Sequence, residues 1–224
     1  MKRETIFFLV FLIVSAGELI AVFTSNHQLN LVCKPLILLS LIGYYLASVE
    51  VRSFVFIRAL FFSWAGDVLL LLTVRSEIFF ITGLIAFLIS HILFIQVYRQ
   101  HRDSNVEKEL LGPQKIRFAL PIVLAGTGLI AILYNSLGPL KIPVMVYSIV
   151  LCVMVLTALF RYGRTSSQSF WMVIAGALLF MGSDSLLAIN KFLNPIEGAG
   201  FFIMATYISA QYLIVEGILQ HSKK

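Results

Sequence analysis

The sequence has little charge and almost no cysteine. Only 12% of its 224 residues are Asp, Glu, Lys or Arg, about half the roughly 25% usual in soluble domains. The two cysteines, Cys33 and Cys152, lie in apolar segments. They make no disulfide framework and no metal-ligand spacing, and both read as packing thiols. Of the four histidines only His91 falls in an apolar stretch; a zinc hydrolase's tight ligand set could come only from His91 with Asp67 and Asp184, and it is the less favoured reading. No Gly-x-Ser-x-Gly elbow and no Ser-His-Asp order appears, and no nucleic-acid motif accompanies the net charge of +6.

What is present is apolar. Hydrophobic residues make up 59% of the chain, against about 45–50% in ordinary globular proteins. A bilayer-spanning helix needs about 20 mostly apolar residues. Eight windows qualify: 5–24, 31–49, 53–74, 77–98, 116–135, 140–160, 170–190 and 199–220. The expected fold is all-α, a polytopic membrane protein with one transmembrane helical domain over residues 1–224. Met1 to Phe23 resembles a signal peptide in its basic start, but its apolar run is long and broken by Glu18, so it reads as a retained first helix.

Basic residues report orientation. With the N-terminus in the cytoplasm, that side holds thirteen: Lys2, Arg3, Arg52, Arg58, Arg99, Arg102, Lys108, Lys115, Arg117, Arg161, Arg164, Lys223 and Lys224. The other side holds Lys34, Arg75, Lys141 and Lys191. The bias predicts both termini in the cytoplasm, in the plasma (inner) membrane of a bacterium.

Motifs recur four helices apart. Gly66-Asp67-Val68-Leu69-Leu70 matches Ser183-Asp184-Ser185-Leu186-Leu187. Lys34-Pro35 and Lys141-Ile142-Pro143 each precede a serine five residues after the proline. Phe87 and His91 match Tyr207 and Gln211 in spacing. This suggests two parallel four-helix repeats, with chance similarity among apolar helices as the other reading.

Ionisable residues inside a span are costly and by default mark function or a buried partner. Glu18, Lys34, Asp67, His91 and Asp184 are the candidates, while Arg58 and Glu216 sit where they can snorkel. Ser63 precedes Asp67 by one turn and shares its face. Gly66, Gly176, Gly182 and Ala188 are expected to admit close helix approach around the aspartates. A charge at the bilayer centre costs about 2.5–3.5 kcal/mol or more, whereas a membrane hydrogen bond returns well under about 2 kcal/mol. Two aspartates kept only as glue fit that balance poorly. At one depth in low dielectric they would not both ionise, leaving one protonated and one ionised carboxyl. Such a pair suits hydrolysis through an oxocarbenium-like cation.

The stretches "FSWAGDVLLLL", "GLIAFLISH", "GALLFMGSDSLLAINKF" and "TYISAQYLI", with Cys33-Lys34-Pro35-Leu36, closely resemble the YhhN family over nearly the whole chain. That family includes lysoplasmalogenases. The resemblance implies hydrolysis of the vinyl ether of a lysoplasmalogen, an alkenyl lysophospholipid, to a fatty aldehyde and glycerophosphoethanolamine or glycerophosphocholine. It implies Asp67 and Asp184 as the acid/base pair, Lys34 toward the phosphate, and Ser63, His91, Ser183, Asn190, Tyr207 and Gln211 in supporting substrate contacts. Neither metal nor cofactor is expected. The partners expected are the lysophospholipid and membrane lipids, not nucleic acid. A small-molecule or proton-coupled transporter is the alternative, but the spans run unbroken past the aspartates, unlike many transporter sites. An assembly subunit without chemistry would leave the aspartates unexplained.

Overall fold

The computed structural model describes residues 2–103 and 109–222, and among them every regular element is helical. The helices are α1 (Arg3–Phe23), α2 (His27–Ser48), α3 (Phe54–Leu71), α4 (Glu77–Gln100), α5 (Gly112–Leu133), α6 (Lys141–Leu159), α7 (Ser167–Phe192) and α8 (Ala199–Ser222). All eight are long and apolar enough to cross a membrane. The chain is thus a polytopic membrane protein of the expected class. Lys108, Lys223 and Lys224 of the charge pattern lie outside the described residues.

Three helices begin at least three residues earlier than hydropathy predicts, each for a local reason. The Asn26 side chain accepts the Leu29 N–H at 3.1 Å, so α2 starts at His27. Ser166 does the same for the Ser169 N–H at 3.2 Å, starting α7 at Ser167. Such caps satisfy donors that a helix start leaves orphaned. At α5, Pro113 occupies the first turn, where no N–H is required, and the Leu111 N–H donates to Gln114 Oε1 at 2.9 Å. Polar capping residues count against a hydropathy window although they extend the helix.

The contacts divide the chain into two compact units, Met1–Phe94 and Ile95–Lys224, with α4 passing from one to the other. In the first unit α1 packs on α2 through small residues. A Cβ at Gly17 would meet Cys33 Sγ at 2.8 Å, and one at Gly43 would overlap the Phe7 ring. These two contacts set an antiparallel, one-for-one register. The α2–α3 corner is pinned by the Ser53 N–H donating to the Tyr45 hydroxyl at 3.1 Å and by an edge-to-face Tyr45–Phe56 pair at 4.8 Å. Between α3 and α4, Gly66 lies against the Phe87 ring and Gly83 against Leu70.

In the second unit α7 and α8 make the most extensive helix contact. A Cβ at Gly176 would come within 2.8 Å of the Ala210 carbonyl oxygen, and one at Gly217 within 2.6 Å of Val173. Cys152 Sγ fills the notch beside Gly126 of α5, as Cys33 does beside Gly17. One end of the unit is closed by Leu133, Leu137 and Val144, with Ala188 and Phe192 packed on them. Gly66, Gly176 and Ala188 therefore do serve close packing. Gly182 does not: it is exposed and nothing lies within 4 Å of a Cβ built there. A helix has several faces, and Gly182 lies on an exposed one.

At the opposite end of the second unit, Arg161 is fully buried. Its Nε donates to the His101 carbonyl at 3.0 Å and its Nη2 to Ser169 Oγ at 2.9 Å; Ser169 Oγ in turn donates to the Gly217 carbonyl at 2.6 Å. One guanidinium thus ties together the chain after α4, the end of α6, the start of α7 and the end of α8. Burial pushes it down to about 10, which leaves it charged at neutral pH. Burial likewise pushes the neighbouring His101 down.

Candidate active site

Asp67 is buried, 2% exposed, on the face of α3 that carries Ser63 and Gly66. The Ser63 and Ser90 hydroxyls bond at 2.7 Å, and Ser90 Oγ donates to the Ala59 carbonyl at 2.8 Å. With Gly66 against Phe87 and Gly83 against Leu70, α3 and α4 run antiparallel in strict register. Asp67 is therefore level with Ala86. His91, fully buried and stacked on Phe87 at 6.5 Å between centroids, lies five residues or about 7.5 Å further along. Ser63 and His91 belong to the wall that holds Asp67, one to two turns from its carboxyl.

The same reasoning places Lys34. Carried from the Tyr45–Phe56 contact along α2 and α3, the one-for-one register brings Lys34 level with Asp67. The Gly17–Cys33 contact puts Glu18 within a turn of that level. Within the first unit Glu18, Lys34 and Asp67 thus share one layer. Glu18 is fully buried and its Oε1 accepts from Asn30 Nδ2 at 2.8 Å.

Asp184 is half-buried on α7. Tyr147 of α6 donates its hydroxyl to Asp184 Oδ2 at 2.5 Å, a length typical of charge-assisted O–H···O bonds. The apolar cluster around Val144 and Ala188 lies one turn away on both helices. Ser183, buried, donates to the Ile203 carbonyl at 3.0 Å and so fastens α7 to α8. Asn190 Oδ1 accepts the Ile196 N–H at 2.7 Å, shaping the α7–α8 turn. Tyr207 packs edge-on to Phe180 at 5.4 Å, and Gln211 Nε2 donates to the Tyr207 hydroxyl at 3.3 Å. Ser183 opposite Ile203 sets Asp184 level with Phe202, which puts Tyr207 about 7.5 Å and Gln211 about 13.5 Å along the axis from the level of Asp184. Tyr207 is between one and two turns from the aspartate in depth, and Gln211 is about two and a half turns away.

Each aspartate also lies at a definite depth in its own helix. Asp67 is about 10 Å of helix before the span's end at Val74, and Asp184 about 12 Å before Phe192. Tyr147 is the site residue that sequence reasoning missed. Its neighbours Pro143 and Ser148 belong to the motif shared with α2, but the position matching Tyr147 there is the exposed Leu39, so the motif comparison passes over it. Arg161 was legible only as a topology charge. Glu216 does not snorkel: it is 9% exposed and accepts from Gln220 Nε2 at 2.7 Å. Among the described residues no group of three His, Cys, Asp or Glu comes together as a metal site.

Comparison with known proteins adds a family. The model of the YhhN family matches residues 29–218. Lysoplasmalogenase TMEM86B of Sus scrofa is 32% identical over 145 residues, 64% of this chain and 56% of that protein. A lysoplasmalogenase of Mycobacterium bovis is 32% identical over 167 residues, 72% of this chain and 59% of that protein. Human lysoplasmalogenase TMEM86B is 30% identical over 142 residues, 63% of this chain and 54% of that protein. The chain thus spans little more than half the length of the relatives it matches. No solved structure matches it.

Proposed function

The chain belongs to the YhhN family, and from that premise we propose that it is a membrane-embedded lysoplasmalogenase. Its substrate is an alkenyl lysophospholipid, hydrolysed to a fatty aldehyde and a glycerophospho-base. The observation that carries the chemistry is an aspartate held in a membrane span by a phenol, Asp184 on Tyr147, in a chain with a second buried aspartate, Asp67. The lysoplasmalogenase names of its relatives support the substrate class.

Hydrolysis starts by protonating the vinyl β-carbon. Asp67, the drier of the two and walled by Ser63, Gly66 and Phe87, is assigned as donor: its proton forms the new C–H bond with the π pair. The adjacent carbon and ether oxygen share the resulting positive charge. Asp184, an acceptor fixed by Tyr147, is assigned to stabilise that cation and to take a proton from the attacking water. The hemiacetal then collapses. The C–O bond to glycerol breaks, its oxygen takes the proton from Asp184, and the hemiacetal O–H proton returns to Asp67. Vinyl ether and water become aldehyde and alcohol, and both carboxyls are restored.

The lipid character of the substrate agrees with the setting. A single-chain lipid keeps its tail in the bilayer, and Lys34 at the level of Asp67 offers its phosphate a cation. Orientation follows the charge bias, with both termini cytoplasmic and each aspartate toward the outer end of its own helix in a bacterial inner membrane. The test is aldehyde release from lysoplasmenylethanolamine by purified protein in detergent, beside Asp67→Asn and Asp184→Asn. Wild type should release aldehyde and each variant should lose about 10²–10⁴-fold, the usual contribution of a general acid or base. No release by wild type overturns the substrate. Full activity in either variant overturns that aspartate's role, and inhibition by a chelator would bring in a metal.

A further inference from the structure

Glu18 precedes the stretch that the family model matches, and the mechanism above gives it no part. Its Oε1 is satisfied by Asn30, but its Oε2 is buried without a hydrogen-bond partner among the described residues. So is Ser15 Oγ, one turn earlier on the same face of α1. Buried polar atoms are nearly always satisfied. Two orphans on adjacent turns mark a place for a donor that the chain does not supply. Lys34 stands one turn beyond Asn30 on α2, so a fixed cation adjoins these acceptors. Asn30 and Lys34 are only half-buried, which leaves the Glu18 carboxyl one side-chain layer beneath the surface.

We propose that this group binds the head of an ethanolamine lysophospholipid, Lys34 taking the phosphate and Glu18 Oε2 with Ser15 Oγ taking the primary ammonium. The proposal deepens the lysoplasmalogenase reading and rests on it. A primary ammonium brings three N–H donors, whereas the quaternary ammonium of choline brings none. Two orphan acceptors therefore select ethanolamine by hydrogen bonding as well as by charge. Phosphorus and nitrogen in such a head are four bonds apart, about 5 Å, close to the rise of one helical turn that separates Asn30 from Lys34. Lys34 is level with Asp67, and the vinyl ether oxygen sits on the same glycerol as the phosphate. A phosphate held at this level keeps the reacting bond near the aspartate's depth.

The test compares ethanolamine and choline lysoplasmalogens in aldehyde release by wild type, Glu18→Gln and Ser15→Ala. Wild type should prefer ethanolamine in kcat/KM. Glu18→Gln should cut that preference at least tenfold, mainly through KM, and Ser15→Ala by a smaller factor. Equal losses on both substrates, or no wild-type preference, overturn the proposal while leaving the hydrolase reading intact. A second measurement needs no turnover: saturation-transfer NMR of glycerophosphoethanolamine and glycerophosphocholine with each folded, monodisperse variant. Selective binding of the ethanolamine head by wild type, lost in Glu18→Gln, supports the site even if no aldehyde is released. Absence of that selectivity in wild type overturns it.

Discussion

Replacing Tyr147 by phenylalanine removes one oxygen and leaves the ring in place. That oxygen donates to Asp184 at 2.5 Å, and a hydrogen bond to a charged group contributes about 1.5–3 kcal/mol. Only the share that is stronger in the transition state slows the chemistry. If all of it is, kcat falls about 10- to 150-fold, since each 1.36 kcal/mol is tenfold in rate; any ground-state share appears instead as a lower melting temperature. Aldehyde release from lysoplasmenylethanolamine reads the first quantity and a thermal melt in the same detergent reads the second. Tyr147 is a positioning residue, acting through Asp184, and a double-mutant cycle separates that role from simple packing. In an Asp184→Asn background, Tyr147→Phe should cost little further activity, because the group it serves is already gone. Tyr147→Phe with more than half of wild-type kcat, or with its full loss repeated on top of Asp184→Asn, would refute the assignment.

The glycines give a paired stability prediction. Gly176→Ala should lower the melting temperature by a cost of about 1–3 kcal/mol, because its methyl would meet the Ala210 backbone, which cannot swing aside. Gly182→Ala should be neutral or raise it, since that position is open and glycine weakens a helix by about 1 kcal/mol. Arg164 holds the Glu109 carboxyl below its usual range, bonding it at 2.5 Å with Lys115 also near. A depressed carboxylate adds stability above its unfolded value of 4.5 and loses it as pH falls through the folded value. Any melting advantage of wild type over Glu109→Gln should thus be present at pH 6 and absent at pH 3. For orientation, a cysteine at the exposed Arg102 should react with an impermeant maleimide only after cells are opened; labelling of intact cells would reverse the topology.

Much of this was readable along the chain. Helix count and membrane class came through because hydropathy is a local property; the two aspartates drew notice because a lone carboxylate stands out within a 20-residue apolar run. Ser63 shares a face with Asp67 because it precedes it by one turn, while the α2–α3 register is what places Lys34 level with the aspartate. The Ser183–Ile203 bond sets where α8 stands against α7, and that offset, invisible along α8 alone, carries Gln211 about two and a half turns past Asp184. Ser183 and Asn190, expected to contact substrate, spend a polar atom each on the chain's own carbonyl and N–H.

By itself the sequence determined that eight helices cross a bilayer, that acids sit where lipid should be, and to which family the chain belongs. Each of those depends on what a residue is and how far along the chain it stands. Tertiary structure decided which side chain each acid meets. Tyr147 is 37 residues from Asp184, Ser169 and Gly217 share a hydroxyl across 48, and Gly182 faces nothing while Gly176, six residues before it, faces a backbone. In an apolar helix most faces look alike in one dimension. Only the packing of neighbouring helices selects the face that is buried, and with it the residues that can bond.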